Sequence, residues 1–197
     1  PIPFLYATNE IGRQVMQGGS RRSAMYGSLN WMHEDAEHFL TVKNWHDMPV
    51  PGSDITMAQA KAADFNFPCP LDMMNISLNY DDAWLKGPMT ETFRTNVRQA
   101  LMTGEPGFSF NFGDKQGETL RNACTEVTSF DTNDVCNLGS VNMANIETPE
   151  DFKDIVHLAS KFLVCGLIRA EVPSKDIEMV RQKNSRLGLG LMGMHEW

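Results

Sequence analysis

Helix-like and strand-like stretches alternate along this chain from one end to the other, and that interleaving restricts it to the α/β or α+β class. Apolar residues at Phe4, Leu5, Ile11, Val15 and Met16 predict a first helix over about Phe4 to Met16, stopped by the pair Gly18-Gly19. A strand is expected over Met25 to Trp31, then a helix from about Glu34 that carries Phe39, Leu40 and Val42. A polar connection with Pro and Gly follows, holding a short helix over Met57 to Ala63. Met74 to Asn79 reads as a strand, with helices from about Asp81 and over Thr90 to Thr103. A short strand at Phe108 to Phe110 precedes a loop from Asn122 to Asn137 and a strand at Val141 to Ala144. Two helices, about Pro149 to Ile168 and Asp176 to Gln182, close the pattern. No internal repeat, low-complexity run or flexible linker interrupts it, so the chain reads as one domain or part of one.

Charge and composition exclude some functions. A formal net charge of −8 argues against a general nucleic-acid binder, which would carry a basic stripe. A few arginines and helix N-termini can still hold a nucleotide phosphate. No apolar run approaches the roughly 18 residues needed to cross a bilayer, and Asn9, Glu10 and Arg13 break any signal-peptide pattern at the start. The expected compartment is therefore the cytoplasm, without a membrane partner, where four cysteines stay reduced. Both ends, Pro1-Ile2-Pro3-Phe4 and Met194-His195-Glu196-Trp197, lack polar, fraying character, which predicts a segment of a longer chain.

The stretch richest in chemistry is Asn122-Ala123-Cys124-Thr125-Glu126, followed by Asp134-Val135-Cys136-Asn137-Leu138-Gly139-Ser140. If Asn122 to Glu126 is extended, residues two apart share a side, so an amide, a thiol and a carboxylate face one pocket. Such a set can hold, attack and deprotonate a small substrate. Cys136 lies twelve residues on (136 − 124 = 12) and can reach the same site if the loop folds back. From spacing alone, the two cysteines read equally well as buried small side chains. Zinc has less support, because neither cysteine has a Cys-x-x-Cys partner or a nearby histidine. His33 and His38 are five apart and so face different directions on a helix; an acidic first turn accounts for Glu34, Asp35 and Glu37. No metal ligand set is expected within the chain. Cys165, beside Phe162, Leu163 and Val164, is expected in the core.

Asn-x-Cys-x-Glu followed by Cys-Asn-Leu-Gly-Ser resembles the active-site finger loop of ribonucleotide reductase catalytic subunits. Two further stretches resemble the same family: Gln17-Gly18-Gly19-Ser20-Arg21-Arg22-Ser23-Ala24, and Asn184-Ser185-Arg186-Leu187-Gly188-Leu189-Gly190-Leu191-Met192-Gly193. The likeness runs from the first helix to Trp197. It implies part of a ten-stranded α/β barrel around a central finger loop, incomplete at both ends and inactive alone. Reduction of ribonucleotides to 2′-deoxyribonucleotides is the implied reaction. Cys124 is then the thiyl radical that takes the C3′ hydrogen, Glu126 the base for the 3′-hydroxyl, and Asn122 the amide that places the ribose hydroxyls. Cys136 is one of a redox pair that ends as a disulfide, its partner lying on a strand earlier than this chain begins; Cys69 and Cys165 match neither position. Gln17 to Ser23 is the loop that relays the identity of a nucleoside triphosphate effector, with Arg21 contacting substrate base or phosphates. Ala123 and Thr125 depart from the Pro and Gly of many members.

Arg21-Arg22-Ser23-Ala24-Met25, Leu29-Asn30-Trp31-Met32-His33 and Ala63-Asp64-Phe65-Asn66-Phe67-Pro68, with Met74-Asn75-Ile76-Ser77, resemble the adenosylcobalamin-dependent branch. The short Cys124-to-Cys136 spacing agrees. Implied partners are a ribonucleotide, an external thioredoxin-like dithiol reductant and, by analogy, a second copy packed through the first helix. The alternatives kept open are the large subunit of a metal-radical (class I) reductase, a thiol-redox enzyme using Cys124 and Cys136, and a nucleotide-sensing module without catalysis.

Overall fold

The computed structural model describes residues 1–195 apart from the side chain of Gln17; Glu196 and Trp197, which end the family-like stretch, lie outside the described residues. The chain divides into two compact units, Pro1–Phe130 and Asp131–Trp197. Parallel strands joined by helices build both, so the expected α/β class holds. Among the described residues no closed barrel is formed; the strands make separate sheets.

In the first unit helix α1 (Ile2–Gln14) leads into a small hairpin, β1 (Met16–Gln17) and β2 (Arg21–Arg22). Strand β3 (Met25–Asn30) is followed by α2 (Ala36–Thr41) and α3 (Met57–Ala63), and then by β4 (Met74–Tyr80). Helices α4 (Asp82–Lys86) and α5 (Glu91–Thr103) lead to β5 (Gly107–Phe110). A second hairpin, β6 (Leu120–Arg121) and β7 (Thr128–Ser129), ends the unit. Local chemistry sets the helix limits. Thr56 and Gln59 form a reciprocal capping box on α3, Thr90 caps α5, and Gly104 closes α5 in the left-handed conformation at φ 84°.

Strands β3, β4 and β5 form one parallel sheet in the order 3-4-5. Register puts Met25, Gly27 and Leu29 level with Met74, Ile76 and Leu78, and Leu78 and Tyr80 level with Phe108 and Phe110. That face carries the core, where Ile76, Leu78, Tyr80, Phe39, Leu71 and Val42 are essentially closed to solvent. Gly27 lets Met74 pack close there: a Cβ would meet Met74 Sδ at 2.7 Å, so the methionine would have to shift. At the start of β4 the Asp72 carboxylate, 1% exposed, accepts from Arg13 at 2.6 Å and Lys61 at 2.7 Å, tying α1 and α3 together. Burial alone would raise this carboxyl, but hydrogen bonds from Arg13, Lys61 and Asn9 outweigh it and hold its pKa at about 2.

In the second unit β8 (Cys136–Asn142) leads into α6 (Pro149–Arg169), α7 (Lys175–Asn184) and β9 (Arg186–Met192). Strand β8 pairs with β9 in parallel, residue by residue from Cys136↔Arg186 to Asn142↔Met192. The strand expected at Val141 to Ala144 begins earlier, at Cys136, and the glycine-punctuated run from Arg186, to which the sequence pattern assigned no element, is its partner strand. The reason is packing: Leu138 lies over Gly188, where a Cβ would come within 2.6 Å of its Cδ2. Cys165 is exposed on α6 rather than in the core, because of that helix only Leu163 is buried. No described helix is long and apolar enough to cross a membrane.

Candidate active site

The two faces of the β3–β4–β5 sheet differ in chemistry. Opposite the core, β3 presents Tyr26, Ser28 and Asn30, level with Asn75, Ser77 and Asn79 of β4. Strand β5 adds Gly107 and Ser109, and Asn111 follows just beyond it. Parallel sheets are usually apolar on both faces, so a polar second face needs a reason. Several of these groups are nearly closed to solvent, with Ser77 at 4%, Ser109 at 1% and Asn111 at 3% exposure. The Tyr26 hydroxyl and Asn79 Oδ1 are buried with no hydrogen-bond partner. The sequence carries the signal as the polar–apolar alternation of Met25 to Asn30, Met74 to Asn79 and Gly107 to Asn111, outside the quoted motif roles.

The hairpin β6–β7 carries the Asn122-to-Glu126 stretch on its loop. This stretch lies within the loop expected from Asn122 onward and is a turn, so the condition of an extended run is not met. The Thr125 amide donates to the Asn122 carbonyl at 3.0 Å, and Thr125 sits in the left-handed region at φ 70°. The turn brings the amide and the carboxylate together by folding. Asn122 Nδ2 donates to Glu126 Oε1 at 2.7 Å, while the Val127 amide donates back to Asn122 Oδ1 at 3.2 Å. Cys124 and Glu126 are exposed and Asn122 is half-buried. An exposed thiol therefore stands at the turn between an amide and a carboxylate that are already joined.

The polar sheet face reaches this turn. Arg121 donates from Nε to Ser109 Oγ at 2.7 Å, from one terminal nitrogen to Asn111 Oδ1 at 3.0 Å, and from the other to the Thr125 carbonyl at 3.3 Å. Asn75 Nδ2 donates to the Ala123 carbonyl at 2.6 Å. The sequence marks Asn75 only as part of the branch-like stretch Met74-Asn75-Ile76-Ser77, and Arg121 stands in none of the quoted motifs.

The Gln17-to-Ser23 stretch is the β1–β2 hairpin, whose turn uses Gly18 and Gly19 at φ 60° and 73°. Ser20 and Arg21 are exposed. Arg22 is engaged locally: it stacks 4.2 Å above the Phe65 ring and bonds Asn66 Oδ1. The Ser23 amide donates to the Val15 carbonyl at 3.2 Å. Arg21 is thus the cation of this hairpin presented outward.

Cys136 belongs to the second unit, half-buried at the first position of β8. Just before it, the Asp134 carboxylate accepts from Arg186 Nε at 2.6 Å and Asn184 Nδ2 at 2.8 Å. Asp131 accepts from Lys183 Nζ at 2.7 Å and Asn184 at 3.1 Å. A Cβ at Gly188 would lie 3.8 Å from the Cys136 sulfur. The two C-terminal sequence motifs are therefore one structure, in which the Asn184-to-Gly193 stretch supplies the strand beside Cys136 and the clamp on its entry. Cys69 is buried. Among the described residues no three His, Cys, Asp or Glu side chains form a group that could hold a metal ion; His33 Nδ1 accepts instead from the Asp35 amide at 3.0 Å.

A family model for the ribonucleotide reductase barrel domain matches residues 86–197. A putative adenosylcobalamin-dependent ribonucleoside-triphosphate reductase of Mycobacterium phage D29 is 28% identical over 200 residues, covering 93% of this chain and 26% of that protein. A vitamin B12-dependent ribonucleoside-diphosphate reductase of Thermoplasma acidophilum is 24% identical over 220 residues, covering 98% and 27%. A ribonucleoside-diphosphate reductase large subunit of Caenorhabditis elegans is 24% identical over 240 residues, covering 98% and 30%. The chain spans about a quarter of the length of the first two curated relatives.

Proposed function

The chain belongs to the ribonucleotide reductase family, and from that premise we propose that it is a middle portion of a catalytic subunit that reduces ribonucleotides to 2′-deoxyribonucleotides by a radical route. One observation carries the reading: an exposed thiol, Cys124, at a turn whose flanking amide and carboxylate, Asn122 and Glu126, are bonded at 2.7 Å. As a thiyl radical, Cys124 removes the C3′ hydrogen. Glu126 accepts the 3′-hydroxyl proton, and Asn122 orients the ribose hydroxyls and the carboxylate together. The 2′-hydroxyl leaves as water, with two electrons from a dithiol that becomes a disulfide. Cys136 is one of those thiols, and its partner lies on an earlier strand of the parent. An external thioredoxin-like dithiol then restores the pair.

In the parent these parallel strands belong to a ten-stranded barrel whose inner lining is the polar sheet face. Unpartnered buried atoms on Tyr26 and Asn79 give that lining spare capacity for a polar substrate. The hairpin at Gly18 is the effector-sensing loop, with Arg21 as its outward cation. A nucleoside triphosphate effector and a homodimer through α1 complete the expected assembly.

For the radical source we propose adenosylcobalamin, supported by the branch-like stretches and by the names of the phage and archaeal relatives. When bound to the parent, that group supplies the one-electron oxidant for the thiol. No described residue is assigned to hold it. The second reading is a class I enzyme with a separate metal-bearing subunit, favoured by large-subunit relatives such as the nematode protein.

The test is deoxyribonucleotide formation by the full-length parent from ribonucleoside di- and triphosphates, with a dithiol, with and without adenosylcobalamin. Product only with the cofactor is the expected result. Product that requires a second subunit would select the class I reading, and none under either condition would favour a sensing module.

A further inference from the structure

A thiyl radical abstracts hydrogen only over a short reach, so the tip of the turn must be fixed to a fraction of an ångström. The turn does not do this alone. Its Thr125 is a β-branched residue at φ 70°, a conformation that is unfavourable for such a side chain and persists only when contacts hold it. The holding contacts fall on the carbonyls of the two residues next to Cys124, Ala123 and Thr125. The Ala123 carbonyl accepts from Asn75 Nδ2 at 2.6 Å, and the Thr125 carbonyl accepts from Arg121 at 3.3 Å. Arg121 is in turn anchored at both remaining corners of its guanidinium, by Ser109 at 2.7 Å and Asn111 at 3.0 Å. Ser109 also accepts from Asn111 Nδ2 at 3.1 Å, which closes the network. Ser109 and Asn111 are almost wholly buried, so the base of this network has little freedom.

We propose that Arg121 and Asn75 are positioning residues: together they pin the carbonyls on either side of Cys124 to the polar face of the β3–β4–β5 sheet and so fix the thiol relative to Asn122 and Glu126. The proposal rests on the ribonucleotide reductase reading for its consequence in turnover, but not for its effect on the thiol itself. A planar fork with donors in three directions is required at residue 121; lysine keeps the charge and cannot span the same three acceptors. At residue 75 the requirement is one donor, on an exposed side chain of β4.

The experiment uses the full-length parent and the variants Arg121→Lys, Arg121→Gln, Asn75→Ala and the Arg121→Lys/Asn75→Ala pair. Three quantities are read: kcat and KM with the functional radical source, ribonucleotide Kd by equilibrium dialysis, and the alkylation rate of Cys124 by iodoacetamide in the resting enzyme, followed by peptide mass spectrometry. Expected are a fall in kcat of about 100-fold for Arg121→Lys, as for an ångström of misplacement, and of about 10-fold for Asn75→Ala, where one of the two anchors remains. KM and Kd should stay within twofold, and Cys124 alkylation should change severalfold in each variant. The double variant should fall short of the product of the single effects, because both residues act on one turn. Because Asn75 is exposed, its variant keeps the test open if Arg121 variants fold poorly. A rise in Kd with unchanged kcat and unchanged alkylation would overturn the proposal and make Arg121 a substrate ligand. Alkylation and kcat both at wild-type values would overturn it outright. If the wild-type parent makes no deoxyribonucleotide, the functional reading fails, and the alkylation rates still decide whether the two residues hold the tip.

Discussion

The two faces of one sheet divide the work of the first unit. On one face Ile76, Leu78 and Tyr80 are closed against Phe39, Leu71 and α1, a conventional apolar core. On the other, Ser77, Ser109 and Asn111 are just as inaccessible but polar, and two of them bind the arginine that reaches the Cys124 turn. The first face secures the fold through burial of hydrocarbon. The second offers directional bonds, which contribute less net stability but specify where a loop stands. Strand β4 serves both, one residue in two to each side.

This division is open to direct attack. The largest stability effect expected is for Leu78→Ala on the core face, a loss of about 2–5 kcal/mol in denaturant unfolding of the full-length parent. Asn75→Ala, on the same strand but the other face, should cost no more than about 0.5 kcal/mol. Equal losses at the two positions would erase the distinction between the faces.

Asp72, at the margin of the core face, gives the next effect. Its pKa of about 2 lies below the ordinary 3.8, so the ion network stabilises fully above the unfolded value and the benefit disappears as pH falls from about 4 through 2. The contribution is about 2 kcal/mol. Asp72→Asn should flatten that part of the stability–pH curve, and an unchanged acid limb would show that the network contributes nothing.

The smallest effect is expected at Thr125, whose φ of 70° suits glycine. Thr125→Gly should raise stability by up to about 1 kcal/mol, relieved strain being partly offset by backbone entropy. The same change should lower turnover, because the tip is freer. Greater stability with undiminished turnover would mean that the left-handed threonine has no role in holding the thiol.

Much of this architecture was legible in the sequence. Periodic apolar positions indicated a helix at each place where α1 to α7 form, and the Asn122–Cys124–Glu126 and Cys136 motifs fall on the β6–β7 turn and at the start of β8. What stayed hidden depended on partners distant in the chain. The Arg186-to-Met192 run has the glycines of a breaker and becomes a strand only because β8 lies beside it with Leu138 over Gly188. A loop was expected from Asn122, but its tight left-handed geometry was not, because Thr125 is a residue type that rarely enters that region. Cys165 sat in an apolar stretch, yet α6 buries only Leu163 among the described residues, so apolar neighbours in sequence did not imply burial. Arg121 belongs to no motif, and Asn75 stood in a branch-like stretch with no role attached; only the polar alternation of the strands pointed towards the face that uses them.

The measurement closest to the central claim is a Cys124→Ala substitution in the full-length parent, assayed for deoxyribonucleotide formation with dithiol and the radical source that supports the wild type. Loss of product to background with ribonucleotide binding intact is the result expected of a thiyl radical at the turn. Deoxyribonucleotide formed at a wild-type rate without that thiol would contradict the account.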